Sequence, residues 1–262
     1  MEISLIYPNQ LFNDNPVIFS DRKIYLLRHP FFFKSNNYLF NKKKILLHLL
    51  SIQNYYDKLI NLGYDIQIVE ENNYDDFKRN ILSKTSKIHV CEINDHELMK
   101  ELSTFRIPLE IHKSPMFYES NDDNSLYFGN KKKYLLTNYY KQLRKKYNIL
   151  MDDKSPIGNK WTYDTENRKN IPKNLKIPKT RNFEYNSSHL SEFTNYVNTN
   201  FELNPGNTNY FQYPIDHKQA MDNFEYFLEF KFDNFGSFQD SIVSNKIFLF
   251  HSNISSSLNI SP

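Results

Sequence analysis

The sequence predicts an α/β fold, a five-stranded parallel sheet flanked by helices, and three observations carry that prediction. Five short apolar runs, at residues 3–7, 23–27, 65–69, 87–91 and 108–112, have the length of buried strands. Helical stretches separate the last four runs, in the order β-β-α-β-α-β-α-β. The runs are continuously apolar rather than alternating, as expected of strands covered on both faces.

The elements follow in chain order. Residues 3–7 end at Pro8, Asn9 and Gln10, a loop signal, and residues 23–27 are stopped by Pro30. Residues 41–62 form the strongest helix. Asn41 suits its N-cap, Ile45, Leu46, Leu49, Ile52, Tyr56, Leu59 and Ile60 recur at helical spacing, and Gly63 suits the position just past its end. Shorter helices are expected over 74–82 and 95–105. The arrangement is Rossmann-like, and right-handed crossovers place ligands at the carboxyl ends of the strands, after Tyr7, Leu27, Val69 and Cys91. Residues 134–150 read as a helix with Lys141, Arg144, Lys145 and Lys146 on a basic face. Residues 151–186 show little periodicity and contain Pro156, Pro172 and Pro178. Helices resume over 188–200 and 217–233. The expected division is an α/β domain at 1–133, a connector at 134–187 and the start of a helical domain at 188–262.

Composition bounds the function. Asn occurs 34 times, Ala only at position 220 and Gly five times, a bias that AT-rich codons explain and that fits a parasite, an endosymbiont or a large DNA virus. The net charge of +3 is too small to require a nucleic-acid partner. The single Cys91 rules out an internal disulfide, a Cys-rich zinc site and an iron–sulphur cluster held by this chain, and it fits a reducing compartment. No signal-peptide or membrane-span pattern is visible. The expected location is intracellular: cytoplasm, nucleoid or a virus-factory-like compartment, not secretion.

Few motifs carry chemistry. Lys42, Lys43 and Lys44 open the long helix and read either as an anion site at the ligand edge or, preferably, as a solvated charge run. Lys131, Lys132 and Lys133 read the same way. His29 follows the second strand and reads as structural; no H-x-x-x-H or H-E-x-x-H spacing exists, so no metal site is expected. Cys91 sits in an apolar run and reads as inert. Nucleotide-cradling and hydrolase-elbow glycine motifs are missing. The aromatic and cationic helix from Tyr139 to Tyr147 suits either a nucleic-acid backbone or inward-packed aromatics.

Residues 156–169 hold the only Trp. Together with what precedes them they present Tyr140, Arg144, Leu150, Met151, Pro156, Gly158, Trp161, Asp164, Asn167 and Arg168 in a fixed order. This pattern resembles the photolyase/cryptochrome superfamily, in its branch of prokaryotic (6-4) photolyases, also called iron–sulphur bacterial cryptochromes. Asn159 stands where the branch usually has a second Gly. Asn41 with the lysine run, Pro8 to Leu11, and Asn234 to Asp240 resemble further motifs of that branch.

The resemblance implies an N-terminal α/β domain able to hold an antenna chromophore, often a ribityl-lumazine, followed by a connector and a helical domain that buries FAD and receives a flipped lesion. The antenna positions would be Gln10, Arg28, Lys43 and Glu92. The Gly-Asp usual before Gln10 is replaced, and Arg28 stands where an acidic residue is common. His251 to Asn259 resembles the start of the flavin-binding region, with Ser252 and Ser255 as vestigial flavin phosphate contacts. The remaining flavin pocket, the electron-transfer aromatics and four cluster cysteines have no counterpart here. The resulting expectation is a truncated photolyase-related protein without autonomous DNA photorepair and with no bound cofactor. The alternatives are one half of a split photolyase, completed by a separately encoded flavin-domain partner, or a nucleotide- or lumazine-binding module.

Overall fold

The structure is a computed structural model and describes residues 1–34 and 38–261. Two compact units emerge. The first comprises Met1–Phe117, Thr180–Glu225 and Asn253–Pro262; the second comprises Tyr118–Lys179 and Tyr226–Ser252.

The first unit is built on β1 (Glu2–Ile6), β2 (Lys23–Leu27), β3 (Ile66–Val69), β4 (Lys87–Cys91) and β5 (Leu109–His112). All neighbours are parallel, in the order β3-β2-β1-β4-β5. The α/β class and the parallel five-stranded sheet are therefore those the sequence predicts. Four consecutive residues of β1, β2 and β4 are buried. Such strands must be apolar on both faces, which is why they read as continuous runs. Edge strand β5 is only partly covered.

Helix α1 (Lys42–Asn61) joins β2 to β3, α2 (Tyr74–Asn80) joins β3 to β4, and α3 (His96–Thr104) joins β4 to β5. The Asn41 side chain accepts from the Lys43 backbone N–H at 2.9 Å, as its N-cap role requires. At the other end Gly63 has φ +85°. Its N–H bonds the Ile60 carbonyl at 2.9 Å and the Tyr64 N–H bonds that of Leu59 at 3.1 Å, a Schellman closure that a left-handed Gly permits. Asp95 caps α3 by accepting from Glu97 and Leu98. On the sheet, the Tyr25 ring lies 4.9 Å from that of Phe77 on α2.

The second unit holds α4 (Asn121–Phe128), α5 (Leu136–Lys146) and a hairpin of β6 (Met151–Asp152) with β7 (Ser155–Pro156). Helix α4 escaped the periodicity argument because it buries no residue. Its start was nonetheless written in the capping box of Ser120 and Asp123. Helix α5 ends four residues before the expected boundary, and positive φ values at Asn148 and Leu150 turn the chain there.

Helix α6 (Ser187–Asn200) returns to the first unit and packs on α1. Helix α7 (His217–Phe230) begins in the first unit and ends in the second, where α8 (Phe232–Phe238) follows. The expected single helix over 217–233 is broken at Lys231, whose ammonium donates to the His251 carbonyl at 3.1 Å. The serine-rich stretch near the end of the described residues forms α9 (Ser255–Ile260). Ile260 is buried, its carbonyl accepts from the Leu11 N–H at 3.2 Å, and the Ser261 hydroxyl donates to the Asn9 carbonyl at 2.9 Å. No helix among the described residues is long and apolar enough to cross a membrane.

Candidate functional site

In this strand order the chain switches direction between β1 and β4, the place where open α/β sheets bind ligands. Gln10 occupies it. The chain turns after β1 with the Gln10 N–H donating to the Tyr7 carbonyl at 2.9 Å, which aims the side chain across the sheet edge. Its amide nitrogen donates to the carbonyls of Cys91 at 3.2 Å and Glu92 at 3.3 Å, its amide oxygen accepts from the Tyr7 N–H at 3.5 Å, and its own carbonyl is held by Asn15 at 2.8 Å. Gln10 is 3% exposed. Glu92 is thus joined to Gln10 through its backbone, and its N–H donates to the His112 carbonyl at 2.8 Å.

Arg28 and His29 sit one strand further along. The Arg28 guanidinium pairs with Glu70 beyond β3 and lies 5.1 Å from the Phe193 ring centroid; its Nε has no partner. His29 Nδ1 accepts from the Phe31 N–H at 3.2 Å, so the proton belongs on Nε2, which faces Glu101 of α3 at 3.0 Å. The His29 hydrogen bond holds the Glu101 carboxyl below its ordinary value, while burial raises the Tyr7 and Tyr74 phenols beside it. With both ring nitrogens engaged, His29 has no lone pair to offer as a base. It is a buried structural residue.

The lysine run is engaged as well, although Lys44 is exposed. The Lys42 N–H, one of the donors an anion would use at the start of α1, bonds the Pro205 carbonyl at 2.9 Å. Gly206, at φ +83°, lets that loop approach: a Cβ there would lie 2.5 Å from the Asn41 amide nitrogen. The Lys43 ammonium reaches the Tyr210 carbonyl at 3.4 Å, and the Lys44 ammonium lies 3.7 Å from the Phe40 ring centroid.

The structure therefore brings Gln10, Arg28 and Glu92 to the carboxyl edge of the sheet and Lys43 to the start of α1, each engaged within the protein. A cavity of about 300 Å³ lies elsewhere in this unit, against Leu11, Ser51, Tyr55, Lys58, Asp216 and His217. None of the four residues lines it. Ser252 belongs to the second unit and Ser255 opens the six-residue α9 in the first.

Sequence spacing missed a second cluster at β4 and β5. His89 and Glu110 are register partners, and His112 lies two residues beyond Glu110 on the same face. With Glu2 of β1 they form one polar group. The Lys87 hydrogen bond holds Glu110 below the ordinary carboxylate value, the His89 hydrogen bond does the same for Glu2, and burial holds His112 below the ordinary imidazole value. Helical motifs such as H-x-x-x-H cannot find it, because its spacing is set by strand pairing.

In the second unit Arg144 organises the connector. Its Nε donates to the Ile149 carbonyl at 3.0 Å, Nη1 to the Tyr140 hydroxyl at 3.1 Å and Nη2 to the Leu150 carbonyl. The Trp161 ring collects Lys141, Arg144 and Lys145 at 5.3–5.6 Å. Gly158 has φ +79°, and a Cβ there would meet the Tyr163 hydroxyl at 2.3 Å.

Residues 4–213, a span that includes this connector, match the family model described as deoxyribodipyrimidine photo-lyase-related protein. The chain belongs to that family.

Two relatives illustrate its reach. The uncharacterized protein R852 of Acanthamoeba polyphaga mimivirus is 28% identical over 191 residues, covering 67% of this chain and 97% of the relative. The (6-4) photolyase of Agrobacterium fabrum is 25% identical over 231 residues, covering 84% of this chain and 45% of the relative. This chain thus spans nearly all of the first relative and about half of the second. Within this photolyase-related chain the connector pattern holds the local fold together. Tyr140, Arg144 and Leu150 are one hydrogen-bonded clamp, Met151 pairs with Pro156 across the hairpin, and Arg168 faces Asp240 at 3.4 Å.

Proposed function

We propose that this chain acts as a non-catalytic member of the photolyase-related family, an α/β module that on its own holds neither an antenna chromophore nor FAD and repairs no DNA. The observation that carries this reading is the Gln10 carboxamide, which bridges the switch point by bonding two carbonyls at the end of β4. The antenna group implied by the family would meet donors there that are mostly engaged within the protein, with the buried Arg28 Nε the exception. Arg28 is paired with Glu70 and lies 5.1 Å from the Phe193 ring centroid, and Lys43 is spent on a backbone carbonyl. A flavin phosphate fares no better. At the start of α1 the Lys42 N–H is taken by the Pro205 carbonyl and those of Lys43 and Lys44 by Asn41, and five glycines in the whole chain leave little material for a phosphate cradle.

The test is a spectrum. The purified chain, incubated with FAD and separately with a ribityl-lumazine and then desalted, should retain no stoichiometric visible absorption. Under illumination it should leave a (6-4)-damaged duplex unrepaired. Retained pigment or restored duplex overturns the reading.

A second reading, completion by a separately encoded helical flavin-binding partner, is favoured by α7. Leu228 and Phe230, on the part of α7 in the second unit, are exposed, as is Phe232 at the start of α8. Its test is the neighbouring reading frame. A frame encoding such a helical segment should yield a coloured complex when co-expressed, and Leu228→Glu should dissolve that complex. A frame without such a segment, or a complex indifferent to Leu228→Glu, ends this reading.

A further inference from the structure

The geometry points to a divalent transition-metal site at His89, Glu110 and His112, formed across β4 and β5. His89 Nδ1 and His112 Nε2 stand 3.3 Å apart. Two imidazole nitrogens bound to one tetrahedral zinc at about 2.0–2.1 Å each are separated by about 3.3–3.4 Å. The Glu110 carboxylate closes the triangle: Oε2 is 3.7 Å from His89 Nδ1 and Oε1 is 3.7 Å from His112 Nε2. All three ligand atoms lie within 4.8 Å of one another, the only such group of three among the described residues.

A fourth residue sharpens the case. Glu2 Oε2 lies 2.7 Å from His89 Nε2. That contact places the His89 proton on Nε2 and turns the Nδ1 lone pair toward His112 and Glu110. A carboxylate behind a histidine is the usual outer support of a metal ligand, fixing its tautomer and ring orientation. The ligand set is two imidazoles and one carboxylate, with His89 buried and Glu110 half exposed, so a fourth position opens toward solvent. Imidazole and carboxylate together suit zinc and its first-row neighbours rather than magnesium or calcium.

Two cations oppose binding. The Lys87 ammonium lies 3.3 Å from Glu110 Oε2 and 3.8 Å from Glu2 Oε1, and Arg22 lies 3.7 Å from Glu2 Oε2. Lys87 is partly exposed, so an incoming ion can displace it toward solvent at a cost in affinity. This opposition supplies the most discriminating variant.

The experiment is isothermal titration of the full chain, stripped with chelator, with zinc chloride, paired with cobalt(II) absorption to read coordination. One zinc per chain is expected, with the visible bands of low-coordinate cobalt(II). His112→Gln should weaken zinc binding at least tenfold, Glu2→Gln should weaken it about tenfold, and Lys87→Gln should strengthen it several-fold. His96→Gln, at an exposed histidine outside the cluster, should change nothing. A damaged fold cannot produce the gain in Lys87→Gln, so that arm stands even if a ligand variant is unstable. The proposal is overturned if zinc does not bind, if binding survives His112→Gln, if it is lost with His96→Gln, or if Lys87→Gln fails to raise affinity. In the first case His89 and His112 are a hydrogen-bonded pair only.

Discussion

The Arg144 guanidinium carbon lies 5.3 Å from the Trp161 ring centroid while all three of its nitrogens donate hydrogen bonds to Tyr140, Ile149 and Leu150. One side chain thus ends α5, satisfies two carbonyls of the following turn and seats the only indole of the chain. Planar, forked donation of this kind is specific to arginine. Arg144→Ala should destabilise the second unit by about 3 kcal/mol, through lost charged hydrogen bonds and stranded carbonyls. Arg144→Lys should recover only part of that. Because Trp161 is unique, its fluorescence in a urea titration reads the effect directly.

Gln10 makes a comparable prediction at the sheet edge. Gln10→Ala leaves the Cys91 and Glu92 carbonyls without their donor in a buried setting and should cost about 1–3 kcal/mol in chemical denaturation. Gln10→Glu should cost more, since a carboxylate would face those carbonyls. A variant as stable as the parent in either case would remove Gln10 from its bridging role.

His48 predicts a pH dependence. It is buried on α1 between Phe32 and Phe33, and burial, aided by the Lys44 charge, lowers its pKa from 6.5 to about 3. The unfolded chain binds a proton below pH 6.5 and the folded chain does not until about 3. The unfolded state therefore gains protons first as pH falls. Stability is full above pH 6.5 and declines below it, by about 1.4 kcal/mol per pH unit from this residue, or about 2 kcal/mol by pH 5. His48→Met should flatten that part of the stability profile between pH 7 and 5. An unchanged slope would assign it to other groups.

Cys91 should be chemically silent in the folded state. It is fully buried at the end of β4, and burial pushes its thiol up to about 11. Thiolate, the reactive form, is then scarce at neutral pH. A thiol-titrating disulfide reagent at pH 7.5 should react only as denaturant unfolds the sheet, in step with the loss of far-ultraviolet signal. Rapid reaction in native buffer would contradict the burial of this strand end.

Much of this fold is legible in the sequence because its signals are local. The strands at β2 and β4 fall on the expected residues, α1 begins after Asn41 and closes at Gly63, and α3 begins after Asp95. Each rests on a cap, a Gly or an apolar run that acts over a few residues. Helix α4 had only its capping box to announce it, since it buries nothing that periodicity can detect. The break at Lys231 had no local signal in the sequence; there the backbone leaves helical geometry at φ -126° and the ammonium reaches a carbonyl twenty residues away.

The sites divide the same way. Residue types and their order determined the α/β class, the carboxyl edge as the place to look, and the photolyase-related connector with its lone Trp. Only the tertiary structure decided that Gln10 spends its amide on β4, that the Pro205 loop covers the start of α1, and that His89, Glu110 and His112 share one strand face. The physical reason is range. Caps, turns and periodic burial act between near neighbours along the chain, whereas register, crossover and loop docking bring together groups whose separation in sequence carries no information about their distance in space.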